Sequence, residues 1–268
     1  MRDERDTTPK QSLPAALLIH GFNGEPIDMA DPARHLGALG FATVTPTLPG
    51  HGTTARDLAR TGWDDWVAAL WMTARELLEH HPRTILVGHS MGAALALHLA
   101  AHEPRFAGVA ALCPPLRLWP AEVPVVALAR HVVPYIPTAP EDIRDHAARL
   151  GKDRKAYSWT PLQAVHSLMR ALPSLRAELV NVRCPALVVC ARHDHVVPVR
   201  DGLAVFALLG GADKELVVLE RSYHVVTKDL ERAIVRERVG AFAQRVTAPR
   251  VSRAREPGAD AAGGPHSA

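Results

Sequence analysis

Six short apolar runs, separated by stretches of helical periodicity, limit the fold of this chain more than any other feature. They fall at residues 15–19, 41–45, 84–88, 106–112, 186–190 and 215–219. AALLI at 15–19 has no polar residue, so a strand built from it must be covered on both faces. Strands of that kind belong in a parallel sheet with helices on either side. Helical patterns occupy 27–39, 63–80, 91–102, 199–209 and 229–246. The first stops at Gly40 and the fourth at Gly210-Gly211, which are natural helix ends. This alternation predicts a doubly wound, mostly parallel α/β sheet with right-handed crossovers.

One interval breaks the rhythm. Between 114 and 183 no buried strand is expected, and prolines recur at Pro120, Pro124, Pro134, Pro137, Pro140, Pro161 and Pro173. Short amphipathic pieces such as 161–179 lie between them. An insertion of about seventy residues between two strands reads as a helical lid rather than a structureless loop. The expected organisation is a flexible N-terminus at 1–12, a core formed by 13–113 and 184–246, and the lid at 114–183. A tail at 247–268, rich in Ala, Gly, Pro and Arg, is expected to be disordered.

Charge and cysteine content narrow the function classes. With 31 basic and 28 acidic residues among 268, the formal charge is +3, which makes no electrostatic case for nucleic acid or an anionic membrane. Cys113, Cys184 and Cys190 are odd in number and lack metal spacing, so free thiols are expected rather than a disulfide framework. The charged start MRDERDTTPK lacks signal-peptide character, and no apolar run is long enough to span a bilayer. A cytoplasmic protein without an integral membrane segment is the expectation. The oligomeric state is not legible.

The chemistry is carried by Gly88-His89-Ser90-Met91-Gly92, a G-x-S-x-G pattern. The strand TILVG runs into it and the helix MGAALALHLA leaves it. That setting makes a strained strand-to-helix turn, which lifts Ser90 above the sheet edge, while the helix N-terminus favours negative charge beside it. A serine hydroxyl needs a base, usually His, oriented by a carboxylate. Asp194 follows the fifth run in ALVVCARHDHVVP, and His224 follows the sixth in ELVVLERSYHVVTKDLER. Both loops fall at the carboxyl edge of the sheet, where sites in open α/β folds gather. Two backbone N–H groups, of Met91 and of Phe22 in HGFNG, are candidate oxyanion donors.

Other residues read more plainly. His193 and His195 flank Asp194 but lack a third ligand, so no metal site is expected. His89 cannot serve its neighbour as base with good geometry. His131, His146 and His166 are expected at the surface or packed within the lid, and His98 and His102 in a structural role. Asp142, Asp145 and Asp201 read as helix-terminus or solvated carboxylates.

LLIHGFNG, LVGHSMGAALAL, ARHDHVVP and SYHVVTKDLER, in that order, resemble the α/β-hydrolase family. Within it they are most similar to small-lid bacterial carboxylesterases and monoacylglycerol lipases, over most of residues 13–245. The resemblance implies Ser90 as nucleophile, His224 as base, Asp194 as orienting acid, and Phe22 and Met91 as oxyanion donors. It implies a compact lid over an apolar acyl pocket and no cofactor, and an apolar lid favours as substrate an uncharged small-molecule ester with a short or medium acyl chain, or a monoacylglycerol. With about a dozen residues ahead of the first strand, an antiparallel edge hairpin common in relatives is expected to be shortened or absent. Trp119, Val125, Val126, Leu128, Val132, Val133, Tyr135, Ile136, Trp159 and Leu162 make the lid apolar. They either line an acyl pocket or pack the lid onto the core. The rivals are a thioesterase or lactonase on the same scaffold and, from another class, a non-catalytic binder. Haloalkane and epoxide chemistry is disfavoured, since that would place Asp where Ser90 stands.

Overall fold

A computed structural model describes residues 12–117, 122–149 and 157–249. Trp119, nearly all of the expected N-terminal segment and the tail from 250 onward lie outside the described residues. In chain order the elements are β1 (Ala15–Ile19), a 3-10 turn (Pro26–Met29), α1 (Ala30–Ala38), β2 (Ala42–Val44), α2 (Ala55–Leu58) and α3 (Trp63–His80). Then come β3 (Thr84–His89), α4 (Met91–His102), β4 (Gly108–Leu112), α5 (Glu122–Ala129), β5 (Tyr135–Pro137) and α6 (His146–Arg149). The chain continues through β6 (Trp159–Pro161), α7 (Leu162–Glu178), β7 (Ala186–Ala191), α8 (Val199–Leu208), β8 (Lys214–Leu219) and α9 (Arg232–Thr247).

The main sheet has the order β2-β1-β3-β4-β7-β8, and every pairing in it is parallel. Its two faces feed two cores. Ala15, Leu17 and Ile19 join Leu86, Val188 and the residues of α3, α4 and α8, while Ala16 and Leu18 join Ile85, Val87 and the residues of α1 and α9. The alternation follows from the twofold period of a strand, and the absence of any polar residue in β1 from burial of both sides. α4 is enclosed, with every residue from Met91 to Leu97 buried. That explains why its sequence has no polar face.

The interval between β4 and β7 holds strands that were not expected. β5 and β6 form a short antiparallel ladder, Tyr135 opposite Pro161 and Pro137 opposite Trp159. Three-residue strands that contain proline carry neither the length nor the alternation by which strands are recognised. α7 runs through Pro173 and lays Leu168, Leu172 and Leu175 on the core. The apolar residues expected to line a pocket or seal the lid divide: Leu162 is buried and Ile136 lies on a cavity wall, while others face solvent. Val125, Leu128, Val132 and Trp159 are more than half exposed. Among the described residues no helix is long and apolar enough to cross a membrane.

Candidate active site

β3 ends where α4 begins, and the turn between them is Ser90. Its φ of 55° and ψ of −122° lie outside the regions open to L-residues, a conformation that costs on the order of 1–3 kcal/mol and persists only when the surroundings hold it. The surroundings do so. The Ser90 N–H donates to the Leu112 carbonyl at 2.8 Å, and its own carbonyl accepts the N–H of Ala93 at 2.9 Å. The flanking glycines are required by space. A Cβ on Gly88 would stand 2.1 Å from the Gly92 carbonyl oxygen, and one on Gly92 would stand 2.2 Å from that of Ile19.

Three side chains remote in sequence meet here. His224 Nε2 lies 2.9 Å from Ser90 Oγ, and His224 Nδ1 lies 2.7 Å from Asp194 Oδ2. Asp194 is held as the anion. Burial works to raise its pKa, but the His224 hydrogen bond and charge, with the N–H groups of Val196 and Val197, outweigh burial and lower it. Those N–H groups donate to Oδ1 at 2.8 and 2.7 Å. An ionised carboxylate only accepts, so the His224 ring proton sits on Nδ1 and Nε2 offers its lone pair to the serine hydroxyl. Such a row can take the hydroxyl proton as oxygen attacks, and Asp194 can then stabilise the imidazolium.

The loop after β1 is aimed by a residue that the sequence analysis passed over. The His20 ring accepts the Leu48 N–H at Nε2 and donates from Nδ1 to the Gly21 carbonyl at 2.9 Å. Gly24 N–H binds the same carbonyl at 3.0 Å. Among the described residues no cis peptide bond occurs, and in a trans peptide the N–H points opposite to the C=O within one plane, so the Phe22 N–H points away from the side that His20 and Gly24 occupy. Met91 opens α4, so its N–H has no acceptor within the helix. Phe22 and Ser90 line two cavities in common. One, of about 130 Å³, is walled by Pro115, Val165, Leu168, Val196 and Val197. The other, of about 340 Å³, extends past His224, Asn23, Thr160 and Ile136. The apolar wall of the smaller one thus comes from α7 and the Asp194 loop, not from the lid residues singled out in the sequence.

The histidine after Gly88 has a supporting place. His89 is buried, and its Nε2–H donates to the His224 carbonyl at 2.9 Å. Burial, reinforced by the nearby His224, lowers its pKa from 6.5 to about 4, so it stays neutral. The His224 loop is also held by acids that follow it. Fully buried Asp229 accepts the Tyr223 N–H at 2.7 Å, and Glu231 accepts those of Arg221 and Ser222 at 2.8 Å each. VVTKDLER, right after the histidine, was the available signal for these.

Of the three carboxylates expected to be solvated or at helix ends, Asp201 and Asp145 stand at helix ends and Asp142 does not. Asp201 does stand in the first turn of α8, yet it is buried, and its Oδ2 accepts the N–H groups of Leu116 and Arg117. Asp142 is in no helix and joins the catalytic loops, as described below. Asp145, by contrast, caps α6 through the N–H groups of Ala147 and Ala148. His98 donates to Glu178 at 2.7 Å and so ties α4 to α7. His166 is buried against Arg130, while His131 and His146 are exposed. The three cysteines are free, and burial pushes the Cys184 and Cys190 thiols up to about 11 and about 12, which keeps them protonated and inert near neutral pH.

A family model described as serine aminopeptidase, S33, matches residues 11–231. The chain belongs to this α/β-hydrolase family. The hydrolase is 32% identical to the thermostable monoacylglycerol lipase of Bacillus sp. (strain H-257) over 229 residues, which are 83% of this chain and 87% of the relative. It is 29% identical to the carboxylesterase of Bacillus subtilis (strain 168), over 87% of this chain and 93% of that one. A solved structure described under LipS and LipT, two metagenome-derived lipolytic enzymes, superposes with a TM-score of 0.82 at 33% identity, over 88% of this chain and 95% of the other. The hydrolase is therefore an enzyme of the esterase and lipase type, similar to carboxylesterases and monoacylglycerol lipases.

Proposed function

We propose that this enzyme hydrolyses uncharged carboxylic esters with short or medium acyl chains, monoacylglycerols included, through an acyl–Ser90 intermediate. The observation that carries the reading is the hydrogen-bonded row Asp194–His224–Ser90 opening onto an apolar cavity of about 130 Å³. His224 takes the Ser90 proton as Oγ attacks the ester carbonyl. The N–H groups of Phe22 and Met91 receive the developing oxyanion, each such donor being worth on the order of 100–1,000-fold in rate. The tetrahedral intermediate collapses with departure of the alcohol, which takes its proton from His224. Water then attacks the acyl-enzyme, giving its proton to His224, and the acid leaves as Ser90 is restored. The segment between β4 and β7 acts as the lid over this site, its α7 face forming one wall.

Size favours short chains. A dry cavity of about 150 Å³ accommodates a benzene-sized guest, so the smaller chamber here takes an acyl group of about six carbons. The larger chamber, with Asn23 and Thr160 on its wall, suits the alcohol portion. The names of the two bacterial relatives support both ester classes. The test is an acyl-chain series of nitrophenyl esters, with a monoacylglycerol, an acyl thioester and a lactone alongside, read together with fluorophosphonate labelling. Oxygen esters should turn over fastest, with an optimum near C4–C8 and labelling lost in Ser90→Ala. A faster thioester or lactone reaction would reassign the bond cleaved, and labelling retained in Ser90→Ala would remove Ser90 from the mechanism.

A further inference from the structure

We propose that Asp142, carried on the segment between β4 and β7, is a positioning residue that clamps the loops bearing His224 and Asp194 to one another. The inference rests on the Ser90–His224–Asp194 mechanism and adds to it a requirement for one carboxylate outside the row. Asp142 Oδ2 accepts the backbone N–H of His224 at 3.2 Å and that of His195 at 3.0 Å. Its Oδ1 accepts the His195 ring Nδ1–H at 2.8 Å, and its carbonyl accepts the Val225 N–H at 3.1 Å. One residue therefore fastens the base and its C-terminal neighbour, and also the residue that follows the orienting acid. The two loops leave different strands, β7 and β8, and are also joined by the Asp194–His224 bond, by Arg192 donating to Glu220 and by the His195–Tyr223 ring contact; Asp142 adds a third element that binds both backbones.

Asp142 can supply that support because its own place is fixed. Ile143 beside it is buried, and Arg144 and Asp145 donate their N–H groups to Asp229 at 3.0 and 2.8 Å. Asp229 is the same carboxylate that accepts the Tyr223 N–H, so two acids bind this stretch to the His224 loop in opposite directions. Arg144 adds a contact from its guanidinium to the Tyr223 ring at 5.7 Å. Residues 142–145 thus belong to the catalytic scaffold.

A carboxylate gathering three N–H donors holds their directions more tightly than neutral acceptors, since charge-assisted bonds are about twice as strong. Nitrogens placed within a fraction of an ångström matter here, because a misplacement of about 1 Å costs on the order of 100-fold in rate. Asp142 also lies on the wall of the larger cavity, which makes contact with the leaving alcohol the competing role. The two roles separate in kinetics. A positioning residue slows every ester by one factor through kcat, whereas a substrate contact changes KM by an amount that depends on the alcohol.

The experiment compares wild type, Asp142→Ala and Asp142→Asn on acetate esters of several alcohols, with thermal melts and the far-downfield proton signal of the His224–Asp194 hydrogen bond. Asp142→Ala should lose roughly 10–100-fold in kcat across all alcohols with KM nearly unchanged, and the downfield signal should shift or broaden. Asp142→Asn keeps one acceptor oxygen but turns an N–H₂ toward the remaining donors, so it should fall between the two. That near-isosteric variant decides the matter if the alanine variant does not fold. Wild-type kcat with an unmoved proton signal in the folded variants, or a loss that follows the alcohol, would overturn the proposal. Neither result touches the role of Ser90, which the labelling of Ser90→Ala tests separately.

Discussion

The sheet with its edge loops and the segment between β4 and β7 obey different rules. In the sheet, position is dictated by burial. β1, β3, β4 and β7 are buried at every residue, and the loops leaving β1, β3, β7 and β8 carry the residues of the candidate site. In the inserted segment many apolar side chains outside α7 face solvent, and a few polar anchors hold it to the frame, Asp142, Asp201 and Asp229 among them. The difference teaches that one chain can specify its frame by hydrophobic pattern and its cover by single hydrogen-bonding residues. Substitutions in the two regions should therefore differ in size and in kind.

The largest effect is expected in the frame. Asp194→Asn keeps the shape of the acid but removes its charge and can stabilise the wrong His224 tautomer. A loss on the order of 10⁴-fold in kcat is expected, with little change in melting temperature. Steady-state kinetics on a nitrophenyl ester measures it. A drop of less than tenfold would mean that another acid orients His224 and that the frame does not hold the whole site.

Legibility in the sequence divides along the same line. The helices 63–80 and 91–102 were readable to the residue because their ends are marked by a turn, a proline or the G-x-S-x-G motif. β2 and β4 came out shorter than their apolar runs, since Phe41 and Phe106 pack into the core just before the ladder begins. Ser90, Asp194 and His224 were legible because each follows a recognisable strand. His20 was passed over, although it sits directly before the glycine of the oxyanion loop. Asp142 had no local signal at all. Its partners are 53 and 82 residues away, and in APEDIRD it looks like any solvated acid. β5 and β6 were hidden by prolines that ordinarily end strands.

Core packing supplies the next effect. Leu97 on α4 is fully buried within the core on one face of the sheet. Truncation to alanine removes its contacts and leaves a cavity, for an expected loss of about 2–5 kcal/mol by denaturant unfolding. A loss below about 1 kcal/mol would show that α4 repacks, and that the frame is less rigid than its burial implies.

Acid should weaken the frame through His89. Its folded pKa of about 4 lies below the ordinary 6.5, so as pH falls below 6.5 the unfolded chain takes up a proton that the native state refuses. Stability is therefore full above pH 6.5 and declines as pH drops towards 4, by roughly 3 kcal/mol over that window. Asp194 and Glu231, whose pKa values are lowered, add losses only at lower pH, below the ordinary carboxylate range. Unfolding of wild type and His89→Gln across this range isolates the histidine, because glutamine can still donate to the His224 carbonyl but cannot be protonated. Parallel slopes for the two proteins would exclude His89 as the source.

The smallest effect is expected in the inserted segment, and it sharpens the contrast most. Leu128 on α5 is 73% exposed and Val132 just beyond it 78%. Each has little buried apolar area to give up, so Leu128→Ala and Val132→Ser should each change unfolding free energy by no more than about 0.5 kcal/mol. The same Leu→Ala chemistry that costs several kcal/mol at Leu97 would then be nearly silent at Leu128, with burial as the only difference. A destabilisation above about 1 kcal/mol at either position would mean that α5 packs against something in solution. Hydrophobic cover would then have to be added to the polar anchors as a source of order in this segment.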